Sequence, residues 1–208
     1  MVGACNYSRQ MRHSKNLIHF LDKMLHDANL SMDKIDHIAC GVGPGSYTGL
    51  RIGHSFVKGL ALSRNIPVFP FSSLELIAYN IKPKHDKILV CINARRGKLY
   101  CGVFVRSNDA LQQKGSDTLI TIGDAFDLIK NEGPIAITGD ALDKHTEEFM
   151  PFIDKEEYMY SSRYWFAKAE NIACIIAQNK KIPCVNSEKL VPHYLRITEA
   201  EEKFGRVM

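Results

Sequence analysis

The chain has 208 residues, enough for one large domain or two small lobes around a buried core. Apolar residues make up 45% and charged residues 24%, the balance of a soluble globular protein, and no apolar run approaches the roughly 20 residues of a membrane-spanning helix. The net charge of +4 is spread along the chain, with short clusters only at Arg95-Arg96 and Lys180-Lys181; it reads as ordinary surface charge, compatible with a nucleic acid nearby without requiring one.

Helix is expected first. From His13 to Asn29 the apolar residues Leu17, Phe20, Leu21, Met24 and Leu25 recur at three- and four-residue spacing. Ile35 to Val42 reads as a buried strand, followed by a glycine-rich loop from Gly43 to Gly49. A second helix spans Leu50 to Arg64 and is stopped by Asn65-Ile66-Pro67. Pro67 to Phe71 is a short strand, and Ser72-Ser73 can cap a third helix from Leu74 to Asn80. Ile81 to Lys87, with Pro83, reads as a hinge. Beyond it, strands Ile88 to Ile92 and Lys98 to Val105 form a hairpin across Asn93 to Gly97. A short helix from Asp124 to Asn131, a strand from Ile135 to Thr138 and a long helix from Tyr164 to Asn179 follow, and the tail from Val191 to Arg196 is extended. The expected organisation is an N-terminal lobe over 1–84, a C-terminal lobe over 85–190 and a tail over 191–208. Alternating strands and helices make this an α/β protein.

The six cysteines (Cys5, Cys40, Cys91, Cys101, Cys174, Cys184) contain no CxxC pair, and four sit in apolar strand-like or helical contexts. Buried free thiols in a reducing cytoplasm account for them. Val2-Gly3-Ala4-Cys5 lacks the basic and hydrophobic stretches that precede a lipoprotein cleavage site.

The informative stretch is Gly43-Pro44-Gly45-Ser46-Tyr47-Thr48-Gly49-Leu50-Arg51-Ile52-Gly53, between a strand and a helix. Backbone N–H groups at a helix start can hold an anion. Yet the loop lacks the Gly-Lys-Ser/Thr of a P-loop and misses the dinucleotide fingerprint by one residue. Spacing alone favours a tight turn followed by a helix that packs closely on a neighbour. Gly49 and Gly53 lie one turn apart, and Gly59 and Ala61 keep the later turns slim.

These eleven residues resemble the signature of the TsaB (YeaZ) family. Arg12-His13-Ser14, Ile66-Pro67-Val68, Ser72-Ser73-Leu74-Glu75, Asn93-Ala94-Arg95-Arg96-Gly97-Lys98-Leu99-Tyr100, Gly139-Asp140-Ala141 and Pro192-His193-Tyr194-Leu195-Arg196 with Glu199-Ala200 extend the resemblance through most of the chain. It implies a two-lobed ASKHA fold, related to actin and the sugar kinases, here with a first lobe lacking its first two strands. Met1 to Met11 would supply one strand at most. That would leave an open sheet edge, without the Asp-x-Ser/Thr turn that faces phosphate in ASKHA enzymes.

The resemblance also implies a role. The chain would be a non-catalytic scaffold or activator in the synthesis of N6-threonylcarbamoyladenosine at position 37 of tRNA. Its partners would be the catalytic TsaD subunit, which transfers the threonylcarbamoyl group from its adenylate, and the TsaE ATPase. ATP would be used by the complex, with no cofactor held by this chain. The first two helices would pair with those of the partner in a four-helix bundle, through His13, Leu17, Phe20, Leu21 and Met24 of the first and Gly53, Phe56, Val57 and Leu60 of the second. The same face could serve a homodimer. Arg95 and Arg96, in the hairpin turn, are candidates for contact with tRNA phosphate.

Other chemistry is poorly supported. His13, His19 and His26 line one side of the first helix without an H-E-x-x-H pattern, and His145-Thr146-Glu147-Glu148 lacks a second histidine, so no metal site is expected. Ser46 is not in a G-x-S-x-G elbow. The rival of a different class is a stand-alone ASKHA phosphotransferase or ATPase, which the missing Asp-bearing turn argues against.

Overall fold

The computed structural model describes residues 13–81, 85–107, 110–132, 135–152, 162–178 and 182–196. In chain order it contains α1 (His13–Asp27), β1 (Ile38–Gly43), α2 (Tyr47–Arg64), β2 (Val68–Ser72), α3 (Ser73–Ala78), β3 (Lys87–Asn93), β4 (Lys98–Ser107), β5 (Ala110–Thr121), α4 (Ile122–Glu132), β6 (Ala136–Thr138), the one-turn helices α5 (Ala141–Lys144) and α6 (Thr146–Phe149), and α7 (Glu170–Gln178). β1 and β2 form a parallel pair, with α2 as the crossover that parallel strands need. The second sheet runs β5-β4-β3-β6, antiparallel except for β6 beside β3. None of the described helices is long and apolar enough to cross a membrane.

Local chemistry sets the helix ends. α2 starts at Tyr47 rather than Leu50 because Ser46 caps it, its Oγ accepting the Gly49 N–H at 3.3 Å. It stops at Asn65, which adopts the left-handed conformation (φ 54°). α3 is capped by Ser72 Oγ, which accepts the N–H groups of Leu74 at 3.2 Å and Glu75 at 3.4 Å.

The second sheet is covered on both faces, so its strands read as continuous apolar runs. Ile88, Val90 and Phe104 face α3, meeting Leu74, Ile77 and Ala78. Leu89, Cys91, Leu99 and Cys101 face the other way, against Ala125 and Ile129 of α4 and Phe149. Each fully buried aliphatic or aromatic side chain here contributes roughly 1.5–3 kcal/mol. Gly102 lets α3 approach: a Cβ there would lie 3.2 Å from Leu74 Cδ1. On the first sheet, Val57 and Ala61 of α2 pack on Cys40 and Val68.

Several expectations change. The segment expected as one helix from Tyr164 is helical only over Glu170–Gln178 in the described residues. The Tyr164 and Phe166 carbonyls accept hydrogen bonds from Asn80 Nδ2 at 3.0 and 2.9 Å, and Thr138 Oγ1 also donates to Tyr164, so these carbonyls are taken from the helical ladder. α3 lies on the second sheet, whereas Ile175 and Ile182 pack with Phe71, and Leu190 joins Cys40 and Val68 on the first. Val185 pairs with Val68 through two backbone bonds of 2.9 and 2.8 Å. β5, α5 and α6 were not anticipated. Among the described residues β1 pairs with β2 alone. The expected strand over Met1 to Met11, Pro83 of the hinge, Cys5, Lys180-Lys181 and Glu199-Ala200 lie outside the described residues.

Candidate functional site

The signature loop forms one wall of a cleft. β1 ends at Gly43, whose φ of 110° is open to glycine, and a Cβ there would lie 3.0 Å from both the His193 carbonyl and Leu50 Cδ1. The Gly43-Pro44 peptide is cis. The opposite wall is the turn between β3 and β4. There Asn93 Oδ1 accepts the Arg95 N–H at 2.8 Å, and Arg95, Arg96 and Gly97 are left-handed in succession (φ 64°, 53° and 67°). Asp140 braces this turn from below, its Oδ1 accepting the Asn93 N–H at 2.8 Å. Gly139 beside it (φ 116°) has to be glycine, since a Cβ would overlap the Cys91 carbonyl.

The tail closes the third side. The His193 N–H donates to the Val42 carbonyl at 2.7 Å, the Tyr194 ring lies 4.9 Å from that of Tyr47, and Arg196 Nη1 donates to the Ala94 carbonyl at 3.1 Å. The space enclosed is about 700 Å³ and is lined by loop, turn, tail, Asp140 and Lys144. The Arg51 guanidinium sits 4.5 Å over the Tyr47 ring.

Beneath the cleft lies Asp117. The β4–β5 register shifts between Cys101 and Val103, and the Asp117 side chain is only 4% exposed. Ser72 Oγ donates to it at 3.3 Å and Gln113 Nε2 at 2.6 Å, and His193 Nδ1 lies 3.5 Å away. Burial, and then the Asp117 charge, push the Glu75 carboxyl up. Burial likewise raises Asp140, against the pull of the Asn93 N–H and Lys144. Burial pushes the Cys40 thiol up to about 11. Cys91 and Cys101, whose sulfurs are 3.4 Å apart in the core, are inert by the same logic: the Cys101 thiol and burial raise Cys91.

Nucleophilic chemistry finds no support in this geometry. Ser46 Oγ serves as a cap, and among the described residues no histidine or carboxylate bonds to it. Among the described residues, too, no group of three or more His, Cys, Asp or Glu is placed to hold a metal ion. The cleft gathers Gly45, Ser46, Tyr47 and Thr48 of the signature with Arg95. Gly49, Arg51 and Gly53 lie on α2 beyond it, and Pro44 is buried behind it. Arg95 and Arg96 are exposed at the turn.

The expected partner-binding residues lie on the α1 and α2 surface. Leu17, Phe20, Leu21 and Met24 are half-buried, as are Phe56 and Leu60, while Gly53 has open space above its Cα. Val57 is half-buried too and also packs on the core cluster of Cys40 and Val68. The His13 side chain lies outside the described residues. Tyr194, Arg196, Asp140 and Lys144 were not expected as site residues. The motifs Gly139-Asp140 and Pro192 to Arg196 were the available signals for all but Lys144. Asp117 had none.

Comparison with known proteins places the chain in a family. The family model described as "TsaD: tRNA N6-adenosine threonylcarbamoyltransferase" matches residues 8–203. The chain is 28% identical to the tRNA threonylcarbamoyladenosine biosynthesis protein TsaB of Bacillus subtilis (strain 168), over 92% of this chain and 83% of that protein. It is 26% identical to the Escherichia coli (strain K12) protein of the same name, over 67% of this chain and 71% of that one. A crystal structure from Pseudomonas aeruginosa, of an uncharacterized protein with similarity to peptidase YEAZ, superimposes with a TM-score of 0.76 at 24% identity, over 89% of this chain and 85% of that one. That likeness shows the fold, and with the family model it fits the ASKHA type. Because the family model spans nearly the whole chain and the Bacillus subtilis relative, which matches 92% of it, is a TsaB protein, the chain belongs to the threonylcarbamoyltransferase family as one of its TsaB (YeaZ) members.

Proposed function

We propose that this chain is a non-catalytic subunit in the synthesis of threonylcarbamoyladenosine on tRNA, and that it acts by binding and activating a TsaD-type transferase. The names of the relatives support the pathway. The observation that carries the binding role is the α1–α2 surface: none of the residues described from Leu17 to Asp27 is fully buried, Ile18 is 60% exposed, and the Gly53 backbone is open to close approach. A helix pair that leaves this much apolar area at its margins gains by packing against another pair. A TsaE-type ATPase joins the assembly in this reading, ATP is consumed there rather than by this chain, and the setting is the cytoplasm. The same surface could pair two copies of the chain when the partner is absent.

The test is reconstitution. The purified chain, a TsaD-type protein, tRNA and threonylcarbamoyl-adenylate are combined, and modified adenosine is measured by mass spectrometry. The chain alone is expected to give none, and its addition to the TsaD-type protein to raise the yield at least tenfold. Product formed by the chain alone, or no association with the partner at micromolar concentration, overturns the proposal. Robust ATP hydrolysis by the chain alone would favour a stand-alone phosphotransferase instead.

A further inference from the structure

The cleft mouth carries surface that the partner-binding helices do not explain. Tyr194 is 42% exposed and Tyr47 is 37% exposed, an unusual degree for two rings that lie against each other. Three cations surround them. Arg51 stands over Tyr47, Arg95 lines the cleft on the opposite wall, and Arg196 reaches the Ala94 carbonyl between the two. Among the described residues neither Arg51 nor Arg95 pairs with an acidic side chain. Among the described residues the one carboxylate lining the cleft is Asp140, which accepts the Asn93 N–H and whose pKa burial raises. Exposed aromatic rings among guanidinium groups suit a ligand that has flat bases and a chain of phosphates.

We propose that this mouth is a contact site for unpaired nucleotides of RNA: a base stacks on the exposed Tyr194 ring, backed by Tyr47, and phosphates meet Arg51 and Arg95. The tail holds the Tyr194 backbone through the His193–Val42 bond, and the left-handed turn holds that of Arg95, so neither backbone has to be ordered on binding. The inference rests on the proposed function for its choice of RNA. It deepens that reading by giving this subunit a direct hold on the substrate.

The experiment measures fluorescence anisotropy of a labelled tRNA anticodon stem-loop with the full-length chain alone. Binding is expected to weaken steeply with added salt. Tyr194→Ala should weaken it roughly tenfold, and Tyr194→Phe, which keeps the ring, should restore it. Arg95→Ala should lower the salt dependence by about one phosphate contact. Lys23→Ala, on exposed α1, should leave affinity unchanged. No binding at 100 μM protein in about 50 mM salt, or full affinity in both Tyr194→Ala and Arg95→Ala, overturns the proposal. So does equal or tighter binding of AMP or ATP at the same residues, which would make the cleft a free-nucleotide site. Reconstituted activity that survives these results would leave the subunit role standing and remove only the RNA contact.

Discussion

Glu75 and Asp117 are two carboxylates that the fold draws out of water side by side, under a loop built for other purposes. Glu75 occupies the first turn of α3, where the helix dipole favours a negative charge by about 0.3–1 kcal/mol. Its carboxyl is nevertheless raised, so burial and the Asp117 charge outweigh the dipole. The folded protein therefore holds this proton more tightly than the unfolded chain does. Below the ordinary value of 4.5 both states are protonated and the fold keeps the full benefit. As pH rises, the unfolded chain ionises first, and stability falls until the folded carboxyl has ionised too. Glu75→Gln removes that loss. It should be more stable than the parent at pH 7 in urea denaturation, with the advantage shrinking to nothing near pH 4. An advantage that is constant across this range would show that Glu75 acts through packing rather than charge. Asp117 itself was not legible in the sequence. A lone acid in Gly115-Ser116-Asp117 looks like a solvated turn, and only the register shift against Cys101 and Val103 and the arrival of Ser72 and His193 bury it.

Elements were legible where burial leaves a period and illegible where tertiary bonds override one. β3 and β4 announce themselves because both faces are covered and the residues are apolar throughout. β5 is hidden: it is an edge strand whose middle, Gln112 to Asp117, is polar and largely exposed, so nothing in its pattern separates it from a loop. The segment before α7 misleads in the opposite way. Tyr164, Trp165 and Phe166 continue a helical pattern, but Asn80 and Thr138 capture the Tyr164 and Phe166 carbonyls, and Trp165 packs on the second-sheet core. α2 is the element whose outward role can be tested cleanly. No atom outside the immediate helix lies within 4 Å of a Cβ built on Gly53, so a large side chain there has room within the chain. Gly53→Trp should keep its circular dichroism and lose partner binding by on the order of a few kcal/mol, the usual cost of overpacking a close crossing. A folded variant that binds at full strength takes α2 out of the interface. A variant that unfolds would mean that the space above Gly53 is filled within the chain.

At the scale of the whole molecule the two sheets share few elements, and the C-terminal tail is one that touches the ends of both. Its extended character was legible from Pro192 and the lack of period, and its destination was not, because a strap makes its contacts through backbone atoms that leave no mark on composition. His193 bonds to Val42 at the end of β1, Tyr194 packs on Tyr47 at the start of α2, and Arg196 holds the Ala94 carbonyl in the β3–β4 turn. Residues up to Leu190 are anchored separately, by the Val185–Val68 bridge and the cluster around Cys40. Ending the chain after Val191 should therefore leave both cores intact and free the cleft. The far-ultraviolet spectrum should be unchanged, and trypsin should cut after Arg95 or Arg96 several times faster, since the turn loses the bond that ties it to the tail and local opening controls cleavage. Arg196→Ala should give part of the same increase and so separate this bond from the rest of the deleted segment. Cleavage at the parent rate in both proteins would mean that Asp140 and the Asn93 turn hold the hairpin closed by themselves, and that the tail rests on the cleft without bracing it.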